Sequence, residues 1–435
     1  MSSATNPGFT SGAQTVSMPT MKAIILAIGD ELVLGQTADT NSAWLSRELA
    51  DHGVTTLYHK TVADDVDAIA GAFTTACAES DLVVATGGLG PTADDLTREA
   101  LSRLTGKPLD FHPPSLERIR AFFKKLGREM PAANRCQALF PRGAEVLDND
   151  WGTAPGVRVR QGKASVFVFP GVPREMAAMF DRHVAPFVSR AAKGVILSEI
   201  IPTFGAGESG VAEKIADLMQ RDRNPLVGTT VSGGVVTIRV RSEFPTADQA
   251  RKHLDRTVAD VKQRLGTWVF GSGADTLQGV VGAALKKRRR VVVTAESCTG
   301  GLVARMLTDS SGASEYFRGG WVAYANEMKE SELGVPPGLI AQFGAVSREV
   351  AEAMASGALA KSGADYVLSL TGIAGPLGGT VEKPVGTVWI CLGIARSGSR
   401  SFKSEPFLFP GDREAIRERA AKTALNRLRL ELVEE

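Results

Sequence analysis

One pattern recurs along the 435 residues: a run of aliphatic and β-branched residues stops abruptly at glycine, and a helical repeat follows. It appears at Met21–Ile28 before Gly29-Asp30-Glu31, at Asp81–Thr86 before Gly87-Gly88-Leu89-Gly90, at Val166–Phe169 before Pro170-Gly171, and at Val291–Val293 before Ser297-Cys298-Thr299-Gly300-Gly301. Runs that are apolar at every position suit strands buried on both faces of a parallel sheet. The expected fold class is therefore α/β. In open α/β sheets ligands collect at the carboxyl ends of the strands, so the residues after each run are the first candidates for function.

Taken in order, the second strand spans Thr55 to Val62 and its helix Asp65 to Ala76, while Gly53 closes a helix that carries Trp44, Leu45 and Leu49. At the third strand end, Gly87, Gly88, Gly90 and Thr92 let a backbone approach a phosphate closely. Asp94 and Asp95 beside that cradle make sense if a divalent cation bridges them to the phosphate, joined by Asp30 and Glu31 from the first strand end. The plainer alternative is an acidic first helical turn that suits the helix dipole. In Pro170-Gly171-Val172-Pro173-Arg174-Glu175-Met176, Arg174 is a candidate for phosphate and Glu175 for a cation, or Glu175 simply opens the next helix. Residues 112–150 read as basic and then loop-like.

After about residue 185 the parallel units give way to a small α+β module. It has strands near 198–203, 226–231 and 235–241, and helices at 209–220 and 247–265. The module is read as a structural or dimer-forming spacer, and the chain as a homodimer. Gly271-Ser272-Gly273-Ala274 links it to a third domain.

There, Ser297, Cys298 and Thr299 at a strand-to-helix turn are candidate nucleophiles, an anion site, or simply a helix cap. Glycine-rich strand ends recur at Thr371-Gly372-Ile373-Ala374-Gly375 and at Gly411, ahead of Arg413 and a terminal helix 413–432. Gly320–Lys329 reads as strand-like.

Lys+Arg 50 against Asp+Glu 48 gives a formal charge of +2, which argues against a general nucleic-acid binder. Cys77, Cys136, Cys298 and Cys391 are far apart, show no C-x-x-C pair and suggest no disulfide framework, in keeping with a reducing cytoplasm. No apolar run is long enough to span a membrane. Residues 1–20, rich in Ser, Thr, Gly and Pro, are expected to be a disordered extension.

From Met21 onward the sequence resembles the CinA (competence/damage-inducible protein A) family. The resemblance rests on Ala27-Ile28-Gly29-Asp30-Glu31-Leu32, Thr86–Asp95 and Phe169–Met176. Further on it rests on Thr294–Gly301, Tyr324–Lys329, Thr371–Pro376 and Glu382–Val388. It implies a three-layer molybdopterin-binding-like domain at 21–185, associated with metal-dependent ADP-ribose pyrophosphatase activity. A KH-type module at 186–270 and a three-layer α/β deamidase domain at 275–435 would follow. The last resembles nicotinamide-nucleotide amidohydrolases, which convert nicotinamide mononucleotide (NMN) to nicotinate mononucleotide and ammonia.

By that resemblance the N-terminal activity uses Mg2+, Mn2+ or Co2+, held by Asp30, Glu31, Asp94 and Asp95. The deamidase needs no cofactor. In this family the nucleophile lies in a Gly-Ser-Ser-like segment, here Gly312-Ala313-Ser314. The resemblance therefore assigns Ser314 as nucleophile and Lys329 as base, assisted by Tyr324 and by Thr371 near the oxyanion. Ser297, Thr299, Gly300, Gly301, Gly372, Gly375 and Arg413 then become the wall that holds the substrate. A lysine acts as base only where desolvation or nearby cations lower its pKa.

Overall fold

A computed structural model describes residues 21–191, 194–396 and 398–434. The expectation for residues 1–20 lies outside the described residues. The chain divides into two compact units, one running to Leu197 with Ser242–Lys252 added, the other made of Ser198–Arg241 and His253 onward.

The first unit holds β1 (Lys22–Ile28), β2 (Thr55–Val62), β3 (Leu82–Thr86), the short antiparallel pair β4 (Leu109–Phe111) and β5 (Leu139–Pro141), β6 (Glu145–Leu147), β7 (Gly156–Gln161) and β8 (Ala164–Phe169). Six of them form one sheet in the order β2-β1-β3-β8-β7-β6. The contacts β2/β1, β1/β3 and β3/β8 are parallel, and β7 and β6 close the sheet in antiparallel fashion. Alternate residues of the central strands feed two separate cores. Ile24, Leu26, Val83, Ala85, Val166 and Val168 meet the helices that carry Phe73 and Leu101. Ala23, Ile25, Leu82, Val84, Phe167 and Phe169 meet Leu45, Leu49, Met176 and Phe180. A strand's two-residue repeat produces this split, and it gives three layers. The segment read as basic and loop-like contains the helix Pro113–Lys125, with prolines at its start and Lys124 and Lys125 at its end.

The second unit holds most of a module formed by β9 (Val195–Thr203), β10 (Leu226–Ser232) and β11 (Val235–Phe244) in the order β10-β11-β9, followed by the helix Ala247–Leu265; residues 195–197 and 242–252 of that module fall in the first unit. Gly233 and Gly234, at φ of 53° and 79°, make the tight β10–β11 turn that L-residues rarely adopt. Its larger sheet is β13-β12-β14-β15-β16, built from β12 (Val292–Glu296), β13 (Phe317–Val322), β14 (Tyr366–Gly372), β15 (Thr387–Arg396) and β16 (Ser399–Leu408). The β13/β12 and β12/β14 contacts are parallel, and the last two strands run antiparallel. One face packs on the helices Leu277–Arg288 and Arg413–Glu434, the other on the helix Arg348–Ser362.

The α+β module is not a free spacer. Phe204 and Phe270 belong to the same core as Leu425 and Leu428 of the C-terminal helix. Buried Arg429 donates to the carbonyls of Thr267 and Val269, and Lys422 Nζ donates to the Gly233 carbonyl at 2.8 Å.

Candidate functional sites

Two sites form, one in each unit, and both lie where parallel strands end. In the first unit a pocket of 460 Å³ opens at the carboxyl ends of β1, β3 and β8. Its floor is the glycine-rich turn after β3. Gly87, at φ 108°, lies so close to the Ile28 carbonyl that no Cβ fits, and its N–H donates to the Phe169 carbonyl at 3.0 Å. The three strand ends are thereby tied together. Gly88, Gly90 and Thr92 line the same pocket.

The four predicted metal ligands separate into different roles. Asp95 accepts from the N–H of Gly90 at 2.6 Å and of Thr92 at 2.8 Å, and from the Thr92 hydroxyl. Both of its oxygens are thus engaged in holding the turn closed, so Asp95 is a brace rather than a free ligand. Asp30 is also corrected: its Oδ1 accepts the Asp64 N–H at 3.0 Å, while Asp64 Oδ2 accepts the Asp30 N–H at 2.9 Å, and Asp30 is absent from the pocket wall. Glu31 and Asp94 do face the pocket, together with Asp64, which sequence reasoning missed. The Glu31 carboxylate lies across Gly29, 2.6 Å from where a Cβ there would stand. Burial, then the neighbouring carboxylates of Asp30, Glu31 and Asp94, raise the Asp64 pKa against the opposing Asp30 N–H. The Thr92 hydroxyl holds the exposed Asp94 below its ordinary range. Among the described residues no three His, Cys, Asp or Glu converge into a closed metal cage.

Arg174 is exposed on the helix Pro173–Met179, outside the pocket wall, because the first turn of that helix points it to solvent. Glu175 lines the pocket and accepts from Asn149 Nδ2 at 2.7 Å.

In the second unit, β12 ends at Glu296, and the chain turns through Ser297–Gly301 into the helix Leu302–Thr308. Glu296 is fully buried, and its carboxylate accepts the N–H groups of Val303 at 3.1 Å and Ala304 at 2.9 Å. It caps the helix that follows it, a role unseen in the sequence, and so fixes the turn that presents Ser297. The Ser297 N–H donates to the Leu370 carbonyl at 2.9 Å, anchoring the turn beside β14.

Lys329 lies in the helix Asn326–Leu333, not at a strand end. Only 1% of it is exposed, and its ammonium donates to the Tyr324 carbonyl at 3.0 Å. The Ala323 N–H bonds the Glu296 carbonyl at 2.8 Å, which draws this segment onto the end of β12 beside Ser297. Burial pushes the Lys329 pKa below the ordinary lysine value, partly offset by Cys298 and Glu327. A buried lysine that titrates low is the state a general base requires.

Ser314 is elsewhere. It sits exposed in the 3-10 turn Ala313–Glu315 that precedes β13, where Glu315 pairs with Lys286 at 3.1 Å. Lys329 follows β13, and β13 runs parallel to β12. The six residues Phe317–Val322 therefore separate the two by a strand's length, roughly 20 Å at about 3.3 Å per residue. Ser314 lies at the amino edge of the sheet and Lys329 at the carboxyl edge, so the predicted pair does not form within one chain.

Three further expectations are corrected. Thr371 is buried and its hydroxyl donates to the Ala345 carbonyl at 2.7 Å, which commits it to a neighbouring loop. Thr299 is fully buried, so its side chain is no substrate wall; its carbonyl accepts from Arg417 at 2.7 Å. Gly372 and Gly375 answer packing needs: a Cβ would stand 2.7 Å from Val388 and 2.6 Å from Val385. Tyr324 is exposed and its phenol oxygen accepts from Arg413 at 2.8 Å, while the same guanidinium donates to the Gly375 carbonyl at 2.7 Å. Arg413 also enters a 670 Å³ pocket with Gly300, Gly301, Arg305 and Arg417. Three guanidiniums against Glu414 and Glu418 leave that pocket positive. Arg305 and Arg417 carried no sequence signal.

The fold and these sites define a three-part α/β protein with a molybdopterin-binding-like first domain. Residues 24–190 match the family described as "Probable molybdopterin binding domain", 198–271 "Damage-inducible protein CinA KH domain", and 274–432 "CinA C-terminal domain". A "CinA-like protein" of Dictyoglomus thermophilum is 42% identical over 409 residues, 94% of this chain and 98% of the relative. A "Putative competence-damage inducible protein" of Symbiobacterium thermophilum is 42% identical over 418 residues, covering 94% and 98%. A solved structure of competence/damage inducible protein CihA from Agrobacterium tumefaciens is 39% identical and covers 36% of this chain and 93% of its own, with a TM-score of 0.34. The chain belongs to the CinA family. Among its described residues no helix is long and apolar enough to cross a membrane.

Proposed function

We propose that the second unit is a serine/lysine amidohydrolase acting on nicotinamide mononucleotide. The observation that carries this reading is Lys329, buried in the helix Asn326–Leu333, which the Ala323–Glu296 bond holds at the end of β12, the strand that Ser297 follows; burial lowers its pKa. Neutral Lys329 takes the Ser297 hydroxyl proton as Oγ attacks the carboxamide carbon. Lys329 returns that proton to the leaving nitrogen, ammonia departs, and water hydrolyses the acyl-serine to nicotinate mononucleotide. Backbone N–H groups of the 298–301 turn, apart from that of Gly300, which donates to the Ser297 carbonyl at 3.0 Å, would receive the oxyanion. The phosphate belongs in the positive pocket of Arg413, Arg305 and Arg417. The step needs no metal. Ammonia release from NMN by wild type, Ser297→Ala, Ser314→Ala and Lys329→Ala tests it. Full activity in Ser297→Ala would sink the assignment.

For the first unit we infer a divalent-cation-dependent pyrophosphatase acting on ADP-ribose to give AMP and ribose 5-phosphate. Glu31, Asp64 and Asp94 would hold the ion, and the glycine-rich turn would receive the diphosphate. The donors are all hard oxygens, which suits Mg2+ or Mn2+. An incomplete protein cage fits an ion that keeps waters and takes its remaining ligands from substrate phosphates. Such an ion would neutralise charge on the diphosphate. The unmade cage also favours a second reading, a nucleotide- or pterin-binding pocket without hydrolysis. AMP release from ADP-ribose with each divalent ion in turn separates the two, and none with any ion would leave binding alone.

A further inference from the structure

The positive pocket and the Ser297/Lys329 centre are joined by two side chains. Arg413 and Arg417 lie one turn apart on the helix Arg413–Glu434, so they share one of its faces. Both line the 670 Å³ pocket. Each also grips one of the segments that carry the reacting groups. Arg417 Nη2 donates to the Thr299 carbonyl at 2.7 Å, on the turn that begins at Ser297. Gly300 makes room for this contact, since a Cβ there would stand 3.3 Å from the same Nη2. Arg413 Nη2 donates to the Tyr324 hydroxyl at 2.8 Å, and the Tyr324 carbonyl accepts the Lys329 ammonium at 3.0 Å. Arg413 Nη1 donates to the Gly375 carbonyl at 2.7 Å, just beyond the end of β14. One guanidinium thus holds the nucleophile's turn, and the other holds the residue that holds the base.

These bonds leave donors unused. A guanidinium carries more N–H groups than either arginine spends here, and its planar fork suits a phosphate. Arg417 Nε is buried with no partner among the described residues. Arg413 is exposed and Arg417 half-buried, so an anion in the pocket would restrict side chains that packing leaves partly free. The lining carboxylates do not cancel the charge. Glu418 is paired with Lys422 at 2.8 Å, whereas Arg305 reaches Asp309 only at 3.9 Å. Of the two carboxylates in the wall, Glu414 alone then opposes three guanidiniums.

We propose, resting on the deamidase assignment, that the substrate's phosphate activates the reaction through these two side chains as well as anchoring the molecule. On binding it fixes Arg413 and Arg417, and through them the Ser297 turn and the Tyr324–Lys329 segment. Energy from the phosphate contact then appears in kcat, because it holds the groups that act in the transition state. Arg417 is a positioning residue, acting through the Thr299 carbonyl. The substrate class is a nicotinamide nucleoside that carries a phosphate monoester; the bare nucleoside meets the same groups held less firmly.

The test divides the substrate in two. Ammonia release by the full chain is measured from NMN, and from nicotinamide riboside with and without inorganic phosphite. The riboside alone should fall below NMN by about 10²-fold or more in kcat. Saturating phosphite should raise the riboside rate by about tenfold or more, and Ser297→Ala should remove that rise. Arg417→Ala should lower kcat for NMN by a larger factor than it raises KM, and should lose the response to phosphite. An unchanged riboside rate with phosphite, in a wild type active on NMN, overturns the coupling alone. So does a folded Arg417→Ala protein in which only KM rises. The phosphite arm needs no Arg417 variant, so it decides the matter even if Arg417→Ala does not fold. A wild type that releases no ammonia from NMN, or a fully active Ser297→Ala, sinks the deamidase assignment and the coupling with it.

Discussion

The two strand-end sites solve the same problem of placing charge by opposite means. In the second unit the groups are finished before a ligand arrives. Glu296 is spent on two helix N–H groups, Lys329 on a carbonyl, Arg413 on a carbonyl and a phenol. In the first unit the charges are left open: Glu31, Asp64 and Asp94 face a common pocket without a cation from the protein. A preorganised site acts by what is already aimed, whereas an open carboxylate cluster acts through what it recruits. Substitutions should therefore hurt chemistry in one unit and ligand response in the other.

The sharpest break is at Ser297. Ser297→Ala should lower NMN deamidation by about 10⁴ or more, as loss of a nucleophile does, while Ser314→Ala leaves it at wild type. Lys329→Ala should follow with a loss of about 10²–10⁴ in kcat, the range for a removed general base. In the first unit, Asp64→Asn should act in two directions. It relieves like-charge crowding and so raises the melting temperature without metal, yet it reduces the extra stabilisation that Mg2+ or Mn2+ supplies; equal metal-induced shifts in both proteins would argue against a cation there.

A subtler effect concerns pH. Lys329 titrates below its ordinary 10.5 in the folded chain, so between the two values the unfolded state holds the extra proton. Stability contributed at this site is lacking below the folded pKa and is gained as pH rises through it. Wild type should gain melting temperature relative to Lys329→Met from neutral pH towards about 10, and its deamidation rate should rise over the same range. The smallest change is Glu296→Gln, expected to cost about 1–3 kcal/mol in denaturant unfolding, because Val303 and Ala304 donate to different carboxylate oxygens and the amide nitrogen that replaces one of them cannot accept.

Much of the fold was readable because apolar runs and glycine breaks are local signals. The strand Thr55–Val62 and the helix Ala247–Leu265 have the bounds that periodicity suggested. The strand Ser399–Leu408 gave no such signal. It is a largely exposed edge containing Pro406, and only its pairing with β15 makes it a strand. Site residues divide the same way. Glu31, Asp94, Lys329 and the glycine turns lie in visible motifs, whereas Asp64 reaches its pocket only because β2 runs parallel to β1. Sheet polarity keeps Ser314 away from Lys329 within one chain. A residue before a parallel strand and one after it stand on opposite edges, however well the motif spacing matches.

The helix Arg413–Glu434 has a consequence for how the chain is made. Its first turns supply Arg413 and Arg417 to the positive pocket, and Ile416, Ala420, Ala424, Leu425 and Leu428 fill the core beneath the sheet. Arg429 then fastens the α+β module. In chain order this helix follows every strand it covers. During synthesis β12 and its neighbours must wait with one apolar face uncovered until this helix emerges, and the pocket of Arg413 and Arg417 forms only then. A chain broken off within this helix would hold a first unit complete in sequence and a second unit that never closes.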